Sequence, residues 1–239
     1  FLLKKAGLKK GMVVMDAGCG TGLMTKWLAE EVGETGHIVA VDNQENQLEL
    51  AKKYLDENKI YNVSFHCRNI NELSANDLSS IDLFYSRLLL VHNKNPLSVI
   101  KNIYTHCNKN TRFVFEEPIT SESECIPEND SFLKHLELYT QLGRIAGFDF
   151  DFGKQLPLLV KQAGLAIEGI RKIKNLFLDD SIKRIAYLRT KECAEKYINN
   201  QLINQEEISQ LLTSLQALAN RKNLLVSGVT MVQIWGSVP

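Results

Sequence analysis

The sequence of 239 residues predicts an α/β protein in which a mostly parallel sheet carries helices on both faces. Two observations lead to this fold class. Short apolar segments alternate with amphipathic segments throughout residues 1–118, which is the pattern of parallel sheets built from strand–helix–strand units. Three glycines also alternate with small residues where the first strand meets the first long helix. A tight turn at that junction is typical of α/β proteins that bind a ligand at the sheet edge.

The predicted core alternates regularly between strands and helices. Apolar residues recur every three or four positions on the first two long helices, which places one face of each against a sheet. Asn95 and Pro96 indicate where the third long helix starts, because Asn caps helix N-termini and proline fits their first turn. Strands with their following loops are assigned to residues 13–17, 39–42, 62–70, 81–90 and 112–118, and helices to residues 21–32, 44–58 and 95–107.

The alternation changes after residue 118. A polar, acidic loop is predicted at residues 119–130, followed by an amphipathic helix at 131–146 and an aromatic and acidic hinge at 147–153. An insertion after the fifth strand lies near the carboxyl ends of the strands, where α/β sheets bind ligands. A helix at 154–163 and a sixth strand at 165–173 then resume the core pattern.

A second insertion occupies residues 175–222. It carries two predicted helices, and a last strand is predicted at residues 224–236. We therefore expect a single domain, residues 1–239, with a core at 1–118 and helical insertions at 119–150 and 175–222 that form a substrate lid. The two predicted helices span residues 181–199 and 204–221.

Composition narrows the class of partner. Lys plus Arg and Asp plus Glu both number 28, and the resulting zero net charge argues against an extended nucleic-acid surface. The five cysteines include no Cys-x-x-Cys pair, which favours reduced thiols over a disulfide framework or a metal site. No apolar stretch approaches the roughly 18 residues of a membrane span. We expect a cytoplasmic protein without bound metal, as a monomer or homodimer, with residues preceding Phe1.

The most informative segment is VVMDAGCGTG, residues 13–22. A short apolar strand ends in Asp16, and Gly18, Gly20 and Gly22 follow before the first long helix. Glycine lets the backbone adopt positive φ and approach a ligand closely, because it has no Cβ. The N-terminus of the following helix presents free N–H groups at the same place. A polar ligand is therefore expected across this strand–loop–helix unit.

The glycine run and three later segments together resemble the class I S-adenosylmethionine-dependent methyltransferases. Asp42 ends the second strand, and the segments at 62–70 and 81–90 follow in the order that this family shows. The resemblance implies a Rossmann-like sheet of seven strands, with the last strand antiparallel, that binds S-adenosylmethionine. Beyond the fifth strand the chain resembles the family only in outline.

The resemblance also implies which residues contact the cofactor. The glycine loop would receive the methionine part, and Asp42 would accept hydrogen bonds from the ribose hydroxyls. Asp16 would anchor the loop or meet the cofactor's amino group, and many family members have aspartate at the position of Asn69. The implied contacts are Asp16, Gly18, Cys19, Gly20 and Gly22 in the first loop, Asp42, Asn43 and Gln44 in the second, Asn69 and Ile70 beside the adenine, and Ser86 and Arg87 beside the methionyl part.

The acceptor of the methyl group is not identified by any motif. We expect a small molecule that offers oxygen, nitrogen or carbon and is enclosed by the helical insertions. A hydroxyl acceptor benefits from a general base, whereas other acceptors need none. The candidates are His92 and Glu117, which follow the fourth and fifth strands, with Tyr139 and His135 on the helix of the first insertion.

Other functions fit parts of this pattern. A nicotinamide-dependent dehydrogenase would place its third glycine one position later. A methyltransferase of nucleic-acid amino groups would carry an Asn/Asp-Pro-Pro-Tyr-like loop after the fourth strand, where this chain has Tyr85-Ser86-Arg87-Leu88. A nucleic-acid or protein methyltransferase, or a protein that binds the cofactor without catalysis, remains the alternative to small-molecule methylation.

Overall fold

A computed structural model of the chain describes residues 2–177 and 180–239. Strands and helices alternate through its first half, as the sequence predicts. The strands are β1 Val13–Ala17, β2 His37–Asp42, β3 Val63–Cys67, β4 Leu83–Arg87, β5 Arg112–Ile119, β6 Cys125–Ile126, β7 Ala166–Ile173, β8 Leu176–Phe177, β9 Leu225–Ser227 and β10 Thr230–Ser237. The helices are α1 Leu2–Lys5, α2 Leu23–Val32, α3 Glu45–Glu57, α4 Ala75–Leu78, α5 Pro96–His106, α6 Asp130–Ile145, α7 Leu156–Gln162, α8 Asp180–Asn199 and α9 Gln205–Ala219.

Seven strands form one sheet in the order β3-β2-β1-β4-β5-β10-β7. The sheet is mostly parallel with the last strand antiparallel, which confirms the predicted fold class. Asp16 on β1 pairs in parallel register with Ala40 on β2 and with Tyr85 on β4. The carboxyl ends of these strands therefore meet at one edge of the sheet, which is where α/β sheets bind ligands.

The chain divides into two compact units. The first comprises the residues up to Glu117, Gln155–Arg171 and Val232–Pro239. Its core packs Leu28 of α2 against buried strand residues such as Val14, Ile38 and Leu83. These side chains form one face of an amphipathic helix and the inward positions of three strands, so their burial stabilises the sheet–helix contact.

The second unit comprises Pro118–Lys154 and Lys172–Met231, close to the two predicted insertions. It contains α6, α8, α9 and a small sheet in the order β6-β9-β8. Its core is separate, with Leu136, Tyr197, Leu215 and Val226 in one buried cluster. The two insertions bury their apolar faces against each other, and this packing explains why apolar residues recur at helical spacing in both.

Several predicted elements need correction. The last strand at 224–236 is wrong as a single strand, because β9 pairs with β6 and β8 in the small sheet while β10 joins the large one. The loop predicted at 119–130 contains β6 and a 3₁₀ turn at Thr120–Glu122. Helix α2 begins at Leu23 rather than Thr21, because Gly22 has a left-handed φ of 83°. Within the described residues, no helix combines the length and apolar character required to cross a bilayer.

Candidate active site

The first unit contains a cavity of about 570 Å³ at the carboxyl edge of its sheet. Ligand pockets in proteins have volumes of about 300–1,000 Å³, so this one suits a nucleoside-sized molecule. The loops after β1, β2, β3 and β4 supply its wall. Six of the predicted cofactor contacts lie there, namely Gly18, Asp42, Asn43, Gln44, Asn69 and Ile70.

The glycines of the first loop serve different purposes. Gly18, Gly20 and Gly22 all have positive φ, at 73°, 52° and 83°. A Cβ on Gly22 would lie 2.8 Å from Cδ1 of Leu55, and one on Gly18 would lie 2.9 Å from Cδ1 of Leu89. A Cβ on Gly20 would meet no atom nearer than 4.0 Å. Positive φ therefore favours glycine at all three positions, and close packing against Ala51 and Leu55 adds a second reason at Gly22.

Asp42 connects the first two loops. Its Oδ2 accepts a hydrogen bond from the Gly20 N–H at 2.9 Å, and its Oδ1 accepts one from the Gln44 N–H at 3.0 Å. Each carboxylate oxygen has a further lone pair, so the side chain can still accept hydrogen bonds from two neighbouring hydroxyls. This arrangement suits the ribose of the predicted cofactor, since both oxygens are held in place by backbone donors.

Asp16 lies behind the wall rather than in it. The side chain is buried and accepts a hydrogen bond from the Thr25 hydroxyl at 2.6 Å. Burial raises the pKa of Asp16 to about 6, the Thr25 hydrogen bond opposes this change, and the charge of Asp42 adds to it. Of its two predicted roles, anchoring the loop to α2 agrees with this geometry.

The remaining predicted contacts also lie outside the wall. Cys19 is buried and packs with Ala40 and Leu48, and burial raises the pKa of its thiol. Ser86 is buried, and its hydroxyl has no hydrogen-bond partner among the described residues. Arg87 is exposed, and Leu88 and Leu89 occupy the wall instead. Both faces of β4 are covered, since Leu83, Phe84, Tyr85 and Ser86 are all buried, and the contact of Ser86 with the methionyl part stays a prediction.

The third loop combines a turn with the cavity wall. Asn69 Oδ1 accepts the N–H of Asn71 at 3.0 Å and caps the 3₁₀ turn Ile70–Glu72. Its amide nitrogen is a donor for a ligand, a capacity that aspartate lacks. Sequence reasoning missed Arg68, which lines the cavity and forms an ion pair with Asp77 at 2.6 Å.

The loop after β4 is held by Glu117, a predicted general-base candidate. Glu117 Oε1 accepts the N–H groups of Leu89 and Leu90 at 3.2 and 2.8 Å, and Oε2 accepts that of Val91 at 3.1 Å. The side chain is fully buried. Burial raises its pKa to about 8, against the effect of the three N–H groups. This enclosed geometry favours a role in shaping the loop over one in proton transfer.

His92 is the base candidate that lies in the cavity wall. Its side chain is exposed there, and partial desolvation lowers the pKa of the imidazole, which favours the neutral ring. Sequence reasoning missed its neighbours Asn93, Lys94 and Asn95, which also line the cavity. Their signal is a run of polar residues between the fourth strand and the Asn-Pro helix start.

The other two base candidates belong to the second unit. The Tyr139 ring stacks on Phe150 with centroids 4.5 Å apart, and burial raises the pKa of its hydroxyl. His135 is buried, with its Nδ1 2.7 Å from the Thr190 hydroxyl. Burial, together with the charge of Arg189, lowers the pKa of His135 to about 4. A histidine with such a pKa stays neutral near pH 7.

Comparisons with known proteins agree with this site. Residues 8–164 match the family model described as a methyltransferase domain. The chain is 31% identical over 180 residues to the demethylmenaquinone methyltransferase of Lactococcus lactis, covering 70% of this chain and 71% of that protein. It is 34% identical over 94 residues to the ubiquinone biosynthesis O-methyltransferase of Coxiella burnetii, covering 39% of this chain and 38% of that protein.

A solved structure shares the fold over almost the whole chain. Phosphoethanolamine N-methyltransferase 2 of Haemonchus contortus, in complex with S-adenosylhomocysteine, aligns with a TM-score of 0.61 at 16% identity. The alignment covers 99% of this chain and 51% of that one. With the cavity, the glycine loop and the family match, these findings lead to one conclusion. The chain belongs to the methyltransferase-domain family and is a class I S-adenosylmethionine-dependent methyltransferase.

Proposed function

We propose that this methyltransferase transfers the methyl group to a small-molecule acceptor through oxygen, nitrogen or carbon. The Asp42 carboxylate, held by two backbone N–H groups in the wall of a nucleoside-sized cavity, carries the cofactor part of the proposal, and the relatives carry the acceptor part. The names of the Lactococcus and Coxiella relatives associate them with menaquinone and ubiquinone. Quinone precursors are therefore the first acceptors to test, and zero net charge favours a small molecule over nucleic acid.

The bound cofactor supplies a methyl group that its sulfonium already activates. The protein's contribution is then alignment, and positioning two reactants can lower a barrier by about 7–11 kcal/mol. Asp42 would hold the ribose, Asn69 and Ile70 would adjoin the adenine, and the loop at Gly18–Gly20 would hold the methionine part. His92, with a neutral imidazole, would accept the proton if the acceptor is a hydroxyl.

We propose further that the insertions at 119–150 and 175–222 act as the lid over the acceptor, from their place in the chain after the fifth and sixth strands. We also propose that the protein is a monomer or homodimer in the cytoplasm. The alternatives are a nucleic-acid or protein methyltransferase and a cofactor-binding protein without catalysis. An assay that compares methyl transfer to demethylmenaquinol, to RNA and to protein lysate distinguishes among these functions.

Asp42→Ala tests the cofactor site. The variant loses acceptors for two hydroxyls, and hydrogen bonds to a charged group are worth about 1.5–3 kcal/mol each, so we expect S-adenosylhomocysteine to bind at least about tenfold more weakly. Calorimetric titration measures this change. Unchanged affinity would falsify the ribose assignment.

A second ligand separates ribose binding from loop anchoring, because Asp42 does both. Adenosine and 2′,3′-dideoxyadenosine differ only in the hydroxyls that Asp42 is proposed to hold. The wild type should prefer adenosine, and Asp42→Ala should bind the two equally. If the variant weakens both ligands by the same factor, Asp42 acts through the loop alone.

A further inference from the structure

The second unit contains a small cavity of its own, of about 80 Å³. Most of its wall is apolar and comes from α6, α8 and the segment that contains β9. An engineered apolar cavity of about 150 Å³ binds benzene, so this volume suits a branched aliphatic group of roughly three to five carbon atoms. The apolar wall includes Phe132, Leu136, Ile182, Ile185, Val226 and Val229.

His135 interrupts this apolar wall with a hydrogen-bond donor. The residue is 2% exposed and lines the cavity. Its Nδ1 lies 2.7 Å from the hydroxyl of Thr190, which has no other hydrogen-bond acceptor among residues 2–177 and 180–239. The hydroxyl therefore donates to Nδ1, and the neutral ring carries its proton on Nε2. No described residue accepts a hydrogen bond from Nε2, so it can donate one to a ligand.

Arg189 adds a positive charge to the same wall. Its guanidinium carbon lies 4.4 Å from the ring centroid of Tyr139, a cation–π contact that fixes the side chain. Within the part of the chain that the structure describes, no acidic side chain lies within ion-pair distance of Arg189, and its guanidinium donates no hydrogen bond. A cation in mainly apolar surroundings attracts an anion more strongly than it does in water.

We propose that this cavity binds a molecule with a short branched apolar group and an anionic oxygen, such as a monocarboxylate. The apolar group would fill the space between α6 and α8, and the oxygen would accept hydrogen bonds from the Arg189 guanidinium and from His135 Nε2. The site belongs to the second unit alone, and its assignment goes beyond the proposed function and does not depend on it.

Isovalerate is the probe for this site, with isoamyl alcohol as the neutral molecule of the same shape. Both are titrated into the full chain, as wild type and as Arg189→Met, His135→Asn and Arg184→Met. Arg184 is an exposed cation on the same helix outside the cavity wall, so its variant is the matched control. Circular dichroism and hydrogen exchange at amides of α6, α8 and α9 check that the second unit of each variant stays folded, and S-adenosylhomocysteine binding checks the first unit, to which the cofactor cavity belongs.

We expect isovalerate to bind saturably and more tightly than the alcohol. Arg189→Met should weaken isovalerate binding about tenfold or more, as the loss of a charge-assisted hydrogen bond predicts, while Arg184→Met should leave it unchanged. His135→Asn should weaken it while keeping an acceptor for Thr190. Absence of saturable binding to the wild type, or equal binding of acid and alcohol, overturns the site. If isovalerate binds but S-adenosylhomocysteine does not, the proposed function is overturned and the anion site stands.

Discussion

Two buried carboxyl groups next to the cofactor cavity differ in the donors that surround them. Asp16 receives one hydroxyl hydrogen bond, whereas Glu117 receives three from consecutive backbone N–H groups. A buried carboxyl group that accepts hydrogen bonds from three consecutive backbone N–H groups orients the backbone segment that donates to it. Glu117 therefore shapes the Leu88–Leu89 part of the cavity wall, and Asp16 couples β1 to α2.

Asp16→Asn should change how folding stability depends on pH. The pKa of Asp16 in the folded state, about 6, lies above its unfolded value of 3.8, so the native protein binds the proton more tightly. The stability from this group is complete below about pH 4 and is lost as the pH rises through about 6. Since asparagine does not titrate, the variant should gain stability relative to the wild type over this range, by at most about 3 kcal/mol.

Urea denaturation between pH 4 and pH 8 measures this difference. Thr25→Val is the companion variant, because it removes the hydrogen bond that opposes the raised pKa of Asp16. Its pH transition should move upward. Parallel stability curves for wild type and Asp16→Asn would show that Asp16 titrates normally in the folded protein.

Glu117→Gln should disturb the loop after β4. The glutamine oxygen can accept the N–H groups of Leu89 and Leu90, but its amide nitrogen would then face the N–H of Val91. One unsatisfied buried donor costs about 1–3 kcal/mol, which urea denaturation measures. Because Leu88 and Leu89 line the cavity, affinity for S-adenosylhomocysteine should fall as well.

Glu116→Gln is the matched control for this prediction. Glu116 is also buried, but its donors are the Tyr85 hydroxyl and the Gln233 side-chain amide. A hydroxyl can rotate and an amide can flip, so these donors can adapt to a neutral partner. If both variants lose the same stability and affinity, the backbone contacts of Glu117 have no special effect.

At the scale of elements, the glycine loop is shaped by the helices behind it as much as by a ligand. Gly22 precedes α2 and faces Ala51 and Leu55 of α3, whereas Gly20 faces open space. Glycines at alternate positions in this loop therefore meet two requirements, a left-handed backbone conformation and close packing against a helix. Sequence spacing alone does not separate them.

Gly22→Ala should destabilise the protein more than Gly20→Ala. Both substitutions place alanine at positive φ, which costs about 1–2 kcal/mol. Gly22→Ala adds a contact at 2.8 Å with Leu55, and overpacking of this kind costs a further 1–3 kcal/mol or so. Gly20→Ala should instead mainly weaken S-adenosylhomocysteine binding, since its methyl group would enter the space beside the loop.

Thermal denaturation of these two variants measures the loss of stability, and calorimetric titration measures the affinity for S-adenosylhomocysteine. Gly147→Ala is the reference for backbone strain alone, because its φ of 82° is close to that of Gly22 and no atom lies within 4 Å of the place that the new methyl group would occupy. Equal stability losses at Gly20 and Gly22 would show that the α3 contact relaxes freely.

At the scale of the molecule, each compact unit has its own buried cluster, and the described wall of the cofactor cavity belongs to one of them. A separate core gives a unit the means to open locally without loss of structure elsewhere. The predicted single domain with a lid remains a prediction, and local opening is one way to test it.

Leu215→Ala should loosen the second unit selectively. Leu215 is 1% exposed in its core, and truncating a buried leucine costs about 2–5 kcal/mol. Hydrogen exchange should accelerate at amides of α6, α8 and α9, while S-adenosylhomocysteine affinity stays at the wild-type level. Leu28→Ala, in the core of the first unit, should show the opposite pattern. Equal acceleration in both units would identify a single cooperative domain.

Local patterns in the sequence were enough to predict the sheet, the family and six of the residues that line the cofactor cavity. Strand–helix alternation, the glycine spacing and Asp42 are local patterns, and parallel strands bring their carboxyl ends together without further information. Contacts between distant parts of the chain set three features that local patterns do not contain, namely the burial of Ser86, the enclosure of Glu117 by the loop after β4, and the division of residues 224–236 between two sheets. These outcomes depend on partners distant in the chain, since burial and hydrogen bonding are set by neighbours in space.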